Sequence, residues 1–99
     1  MNENEKYFIE EKLKDLVEYF NNGKNSEAEN LAVMLTDQFP NNQLAWKVLG
    51  ALWWKKNKNL EALNAMQTAI KLSPNDPSAH YNLGIALKES GRLEEAEEA

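Results

Sequence analysis

The chain has no cysteine, a single histidine (His80), a single arginine (Arg92), three prolines and four glycines. Without cysteine there is neither a disulfide framework nor a thiolate metal site, and the redox compartment is left undetermined. No apolar run approaches the 18 residues of a membrane span. Met1-Asn2-Glu3-Asn4-Glu5 is not the basic, then apolar, opening of a secretory signal. A cytoplasmic location without membrane contact is therefore the expectation. What is present is a globular balance: 42% hydrophobic residues in 99 are too many for disorder. That length suits one domain. A compact fold would expose roughly 5,700 Å² of the roughly 16,400 Å² of the extended chain, and an elongated one would expose more.

Charge is unevenly spread. Residues 1–42 carry a net −5, residues 43–76 a net +3, and residues 77–99 a net −3. An acidic whole lacks the continuous basic face that phosphate neutralisation needs, so nucleic acid is not an expected partner. The basic middle keeps a local anion site open.

The chain repeats against itself at 34 residues. Leu49-Gly50 falls on Leu83-Gly84, Pro40 on Pro74, and Gly23, Asn57 and Gly91 fall on one another ahead of Glu27-Ala28, Glu61-Ala62 and Glu95-Ala96. Trp46, Leu49, Gly50 and Trp53 share one helical stripe, as do Ala62, Met66, Ala69 and Ile70, with the polar break Lys56-Asn57-Lys58-Asn59 between them. Each unit thus reads as a helix pair. Small residues on facing stripes, Gly50 against Ala62 and Gly84 against Ala96, let the axes approach closely. Pro40 and Pro74 follow the ends of helices, and Asn42 and Asp76-Pro77 open the next ones with a cap and a tolerated first-turn proline. Gly23 and Gly91 suit helix ends that need positive φ. The spacing predicts helices over roughly 5–21, 25–38, 43–56, 60–72, 77–90 and 93–99. The fold class is all-α.

These residues resemble the tetratricopeptide repeat (TPR) family in its bacterial-type arrays. Trp46 through Trp53, with Ala62, Met66, Ala69 and Pro74, is similar to one full repeat. Asn82-Leu83-Gly84, Leu87 and Gly91 through Ala96 are similar to the first two-thirds of another. Residues 9–42 resemble a degenerate copy, in which Lys12 replaces the aromatic and Asp15-Leu16 the Leu-Gly pair. The single domain, 1–99, divides into a degenerate repeat 9–42, a full repeat 43–76 and a partial repeat 77–99. The resemblance implies a right-handed superhelix of antiparallel helix pairs, an α-α solenoid with first helices on its concave side. The third copy stops at Ala99, midway through its second helix, and a solenoid end of this kind leaves apolar surface uncovered. The expectation is a piece of a longer protein, or an open end that pairs with a second copy.

Chemistry is sparse. A lone His80, at the position of Trp46 one period earlier, reads as a packed helix residue rather than a metal ligand. Glu94-Glu95 and Glu97-Glu98 read as a solvated face. Gly50 and Gly84 have no preceding strand or glycine-rich loop to make a phosphate cradle. No nucleophile–base pair can be assembled, so the segment is not expected to be an enzyme, and no cofactor or metal is called for.

Binding is the richer question. By the resemblance, inward positions carry Leu13, Val17 and Phe20 in the first copy. In the second they carry Leu44, Lys47, Val48, Ala51, Trp54 and Lys55, and in the third Ser78, Tyr81, Asn82, Ile85, Lys88 and Glu89. Lys47, Ala51, Trp54 and Lys55 share one helical face by spacing alone. Trp53 belongs to the core stripe with Leu87. Trp54 lies about 100° round it and either meets a partner's apolar group beside the lysines or packs on Phe20 or Tyr81. Asn82 either bonds an extended peptide backbone or the adjoining helix. The candidate peptide- or protein-binding residues are Lys47, Ala51, Trp54, Lys55, Tyr81, Asn82, Ile85 and Lys88. The family's chaperone-tail version is disfavoured, because Leu13, Val17, Ser78 and Asn82 stand where its Lys, Asn, Lys and Arg would be. The reading is a protein–protein interaction scaffold with a peptide or protein partner. The alternatives are a substrate-selecting N-terminal arm of a larger glycosyltransferase or sulfotransferase, which Leu31 through Gly50 resembles in phrasing, and homo-oligomerisation through the C-terminal end.

Overall fold

The computed structural model describes the backbone of residues 1–98 and the side chains of residues 1–91. These form five α-helices: α1 (Glu3–Asn21), α2 (Asn25–Gln38), α3 (Gln43–Lys55), α4 (Asn59–Leu72) and α5 (Pro77–Glu98). No strand occurs among the described residues. The first four match the sequence periodicity to within two residues at each end.

Local chemistry sets most of the boundaries. The Asn42 side chain accepts a hydrogen bond from the Ala45 amide at 3.1 Å and caps α3. Asp76 does the same for α5 through the Ser78 amide at 3.0 Å. At the start of α1, two residues earlier than expected, Asn2 accepts from the Glu5 amide at 2.8 Å while its own amide reaches the Glu5 carboxylate at 3.2 Å. The return bond comes from the Asn2 side chain and not from its backbone N–H, so the pairing is an N-cap held in place by Glu5 rather than a capping box. Helices α1 and α3 end alike, with Gly23 at φ +73° and Asn57 at φ +64°, one period apart. In each, the next amide reaches five residues back, Lys24 to Tyr19 at 2.9 Å and Lys58 to Trp53 at 3.0 Å. That is a Schellman ending, and asparagine tolerates its left-handed residue better than most.

The third equivalent position behaves differently. Gly91 lies within α5, which runs on to Glu98, so the helix break at Gly91 and a separate helix over 93–99 are not formed. Glycine permits a left-handed turn without requiring one, and the helix-favouring Glu residues after Gly91 carry the existing helix forward. The Gly84–Ala96 approach rests on a side chain outside the described residues, as does the acidic face of Glu94 to Glu98. A Cβ at Gly84 would meet nothing within 4 Å among the described residues. Leu87, the equivalent of Trp53, is half exposed.

Packing is tightest where the sequence placed it. Around α3 the core gathers Leu16, Ala28, Ala32, Leu35, Ala45, Val48, Leu49 and Leu52, with Trp53 packed against it. A Cβ on Gly50 would stand 2.9 Å from Met66 Cγ, 3.3 Å from the Met66 amide nitrogen and 3.4 Å from the Ala62 carbonyl oxygen. Glycine is what lets α3 and α4 come this close. The first repeat solves the same contact in reverse: a fully buried Leu16 occupies the Gly50 position, and Ala32 replaces Met66. The departure at Asp15-Leu16 is therefore a volume exchange between the two helices.

Helix α3 touches α1 and α5 as well as α2 and α4, whereas α2 and α4 do not meet. The odd helices form the closer-packed, inner layer and the even ones the splayed, outer layer. The fold is an α-solenoid, 55 × 28 × 20 Å, and its 6652 Å² of exposed surface exceeds what a compact ball of this mass would show.

Candidate functional site

The inner helices α3 and α5, with one side chain of α4, enclose an open cleft of about 160 Å³ lined by Ala51, Trp54, Lys55, Met66, Asn82 and Ile85. Ala51, Trp54 and Lys55 follow at three and four residues along α3, and Asn82 and Ile85 stand one turn apart on α5, so helical spacing delivers each set to one side. The walls are mainly apolar. Among the described residues the aromatic ring pair is Phe8–Phe39, so Trp54 stacks on neither Phe20 nor Tyr81. Its half-buried indole borders the cleft instead. The Lys55 ammonium lies 4.5 Å above the Phe20 ring, a cation–π contact that pins the lysine at the rim. Asn82 makes no side-chain hydrogen bond among the described residues, so its amide is unspent beside the apolar wall.

Lys47 has another role. Its ammonium donates to Asp76 Oδ2 at 2.8 Å and to Ser78 Oγ at 3.0 Å, joining α3 to the start of α5. Gln43 donates to the same carboxylate oxygen at 2.8 Å. With Lys47 as the chief cause, then Ser78 and Gln43, these bonds hold the Asp76 carboxyl well below the usual carboxylate range. Lys56 is likewise engaged, 3.0 Å from Glu29 Oε1 and bonded to Oε2 at 3.1 Å, so the Lys55–Lys58 run is partly a tie between repeats. Tyr81 and Lys88 are exposed and outside the cleft, though they continue the Ile85 stripe along α5 at four- and three-residue spacing. His80 is exposed rather than packed, and its Nε2 donates to the Pro74 carbonyl at 2.6 Å. Trp46 Nε1 makes the same bond to Pro40 at 2.7 Å, so the ring nitrogen, not the ring's bulk, is what the two repeats share here. No group of three His, Asp or Glu side chains among the described residues is arranged to hold a metal ion.

A family profile described as TPR repeat matches residues 54–91, which run from the end of α3 through α4 into α5. Residues 54–91 thus match a tetratricopeptide repeat, and the five helices are consistent with such repeats. A stretch of 60 residues is 38% identical to a peroxisomal targeting signal receptor of Kluyveromyces lactis, covering 61% of this chain and 11% of that protein. Similar receptors of Candida glabrata and Saccharomyces cerevisiae are each 37% identical, over 60% and 58% of this chain. The chain spans about a tenth of the length of these curated relatives. The repeat match and the partial similarity to these receptors support a protein-interaction scaffold.

Of the eight residues singled out from the sequence, the TPR fold brings Ala51, Trp54, Lys55, Asn82 and Ile85 to one cleft. Lys47 sits one turn before Ala51 but is held by Asp76. Sequence reasoning missed Met66, which it assigned to the core stripe of α4. The signal was Gly50: the missing Cβ opens the path along which the flexible Met66 side chain reaches past α3.

Proposed function

We propose that the Trp54 cleft binds a short extended segment of a partner protein, and that the unit acts by holding that segment rather than by catalysis. The observation that carries this reading is the joining of Trp54, Lys55 and the unspent Asn82 amide around one apolar cleft on the inner face. A volume of about 160 Å³ suits one apolar side chain, well below the roughly 300–1,000 Å³ of small-molecule pockets. Lys55 at the rim favours an acidic group next to that side chain, and Asn82 is placed to bond its backbone. The partial similarity to receptors for a targeting signal supports a peptide as the partner. Affinity would come from preorganisation, since the helices are fixed before the partner arrives.

The test uses fluorescein-labelled decapeptides, one with a Leu-Asp pair at its centre and one ending in Ser-Lys-Leu, read by anisotropy. The double variant Trp54→Ala, Lys55→Glu should abolish binding of whichever peptide the parent holds, with helical circular dichroism unchanged. Retained affinity would sink the assignment. Contact between copies along α5 is a second reading, supported by the exposure of Ile85 and Leu87 there. It requires a sedimentation coefficient that rises with concentration.

A further inference from the structure

One residue of the Trp54 cleft comes from a different layer of the fold than the rest. Ala51, Trp54 and Lys55 belong to α3, and Asn82 and Ile85 to α5, whereas Met66 belongs to the outer helix α4. Met66 is 5% exposed, and a Cβ on Gly50 would stand only 2.9 Å from its Cγ. The α3 backbone therefore fixes the first part of this side chain. Only the thioether beyond Cγ keeps room to turn, and a thioether is soft and adapts to the shape set against it.

One helical turn back along the same two inner helices, Lys47, Met66, Ala69, Ala79 and Asn82 surround a second space, too narrow to hold a water molecule. Met66 and Asn82 line both spaces and so form the partition between them. Ala69 and Ala79, both buried, are the small residues behind that partition. The Lys47 ammonium is held by Asp76 at 2.8 Å and by Ser78 at 3.0 Å, so it is not free to fill the gap. A side chain entering the cleft can thus deform the tip of Met66 but cannot displace its stem. Room for anything larger exists only where Met66 itself now lies.

We propose that Met66 sets the class of side chain that the cleft accepts: leucine, isoleucine or methionine with little preference among them, and no aromatic ring. The fixed stem limits the depth, and the mobile tip fits itself to branched and unbranched chains alike. This inference rests on the reading of the cleft as a peptide site, and it narrows the partner to a segment with an aliphatic residue beside its acidic group.

The test is a series of fluorescein-labelled decapeptides with Leu, Ile, Met, Phe or Trp before the central Asp, titrated by anisotropy against the parent and two variants. The parent should bind the three aliphatic peptides within about threefold of one another and the aromatic ones at least about tenfold more weakly. Met66→Ala joins the space in front of Ala69 and Ala79 to the cleft, so the aromatic peptides should gain about tenfold and overtake leucine. Met66→Leu keeps the volume and should fold like the parent even where Met66→Ala does not. Its stiffer, branched tip should still exclude the rings but spread the aliphatic affinities beyond about threefold. An unchanged ranking in Met66→Ala, or aliphatic affinities as close in Met66→Leu as in the parent, overturns the proposal while leaving the cleft a peptide site. Aromatic peptides bound by the parent as tightly as leucine would overturn it as well. No binding of any peptide by the parent would overturn the peptide reading of the cleft and this inference with it.

Discussion

The contact between Gly50 and Met66 allows a double-mutant cycle whose outcome follows from the distances. Gly50→Ala gains about 1 kcal/mol of helix propensity. Against this, the new Cβ falls 2.9 Å from Met66 Cγ and within 3.4 Å of two backbone atoms of α4, an overpacking worth about 1–3 kcal/mol. The single variant is therefore expected to lose up to about 2 kcal/mol. Met66→Ala removes a side chain that is 5% exposed, at a cost of about 2–5 kcal/mol. In the double variant the closest clashing atom is gone, the propensity gain survives, and the new methyl fills part of the cavity. It should be no less stable than Met66→Ala alone, a coupling of about 1–3 kcal/mol. The first repeat, with Leu16 facing Ala32, already embodies this exchange. Urea unfolding followed by circular dichroism and tryptophan fluorescence measures it, provided the m-value is constant across the four proteins. Effects that add to within about 0.5 kcal/mol would refute the close approach as the reason for glycine at this position.

Two further outcomes are expected. Gly23→Ala should destabilise by about 1 kcal/mol because its φ is positive, whereas Gly91→Ala, within a continuous helix, should be neutral or stabilising by a similar amount; equal losses at both sites would restore a turn at Gly91. The Asp76 carboxyl is depressed in the folded state, so its contribution to stability is present above its ordinary value of 3.8 and is lost as pH falls toward the folded value. Asp76→Asn keeps a capping side chain but loses the charge pairing with Lys47, so its melting temperature should fall less than the parent's between about pH 4 and pH 2; parallel curves would remove Lys47–Asp76 from the account.

Much of the architecture is written locally. The 34-residue period, the apolar stripes, the caps at Asn42 and Asp76, and the glycine at position 50 each act over one or two helical turns, and so can be read without a structure. Helical spacing puts Ala51, Trp54 and Lys55 on one side of α3, and Asn82 and Ile85 on one side of α5, and the packing of α5 beside α3 joins the two sets in the cleft. What tertiary structure decided are competitions between distant groups. Lys47 lies on the same stripe as Ala51 and Trp54, but the Asp76 carboxylate, 29 residues away, reaches its ammonium. Met66 has the spacing of a core residue and also lines the cleft, because a facing glycine leaves room for its side chain. At Gly91 the spacing repeats that of Gly23 and Asn57, yet the backbone stays helical through Glu98, since a glycine permits a turn without requiring one. Spacing specifies which residues share a face; only the packed repeats determine which partner each face meets.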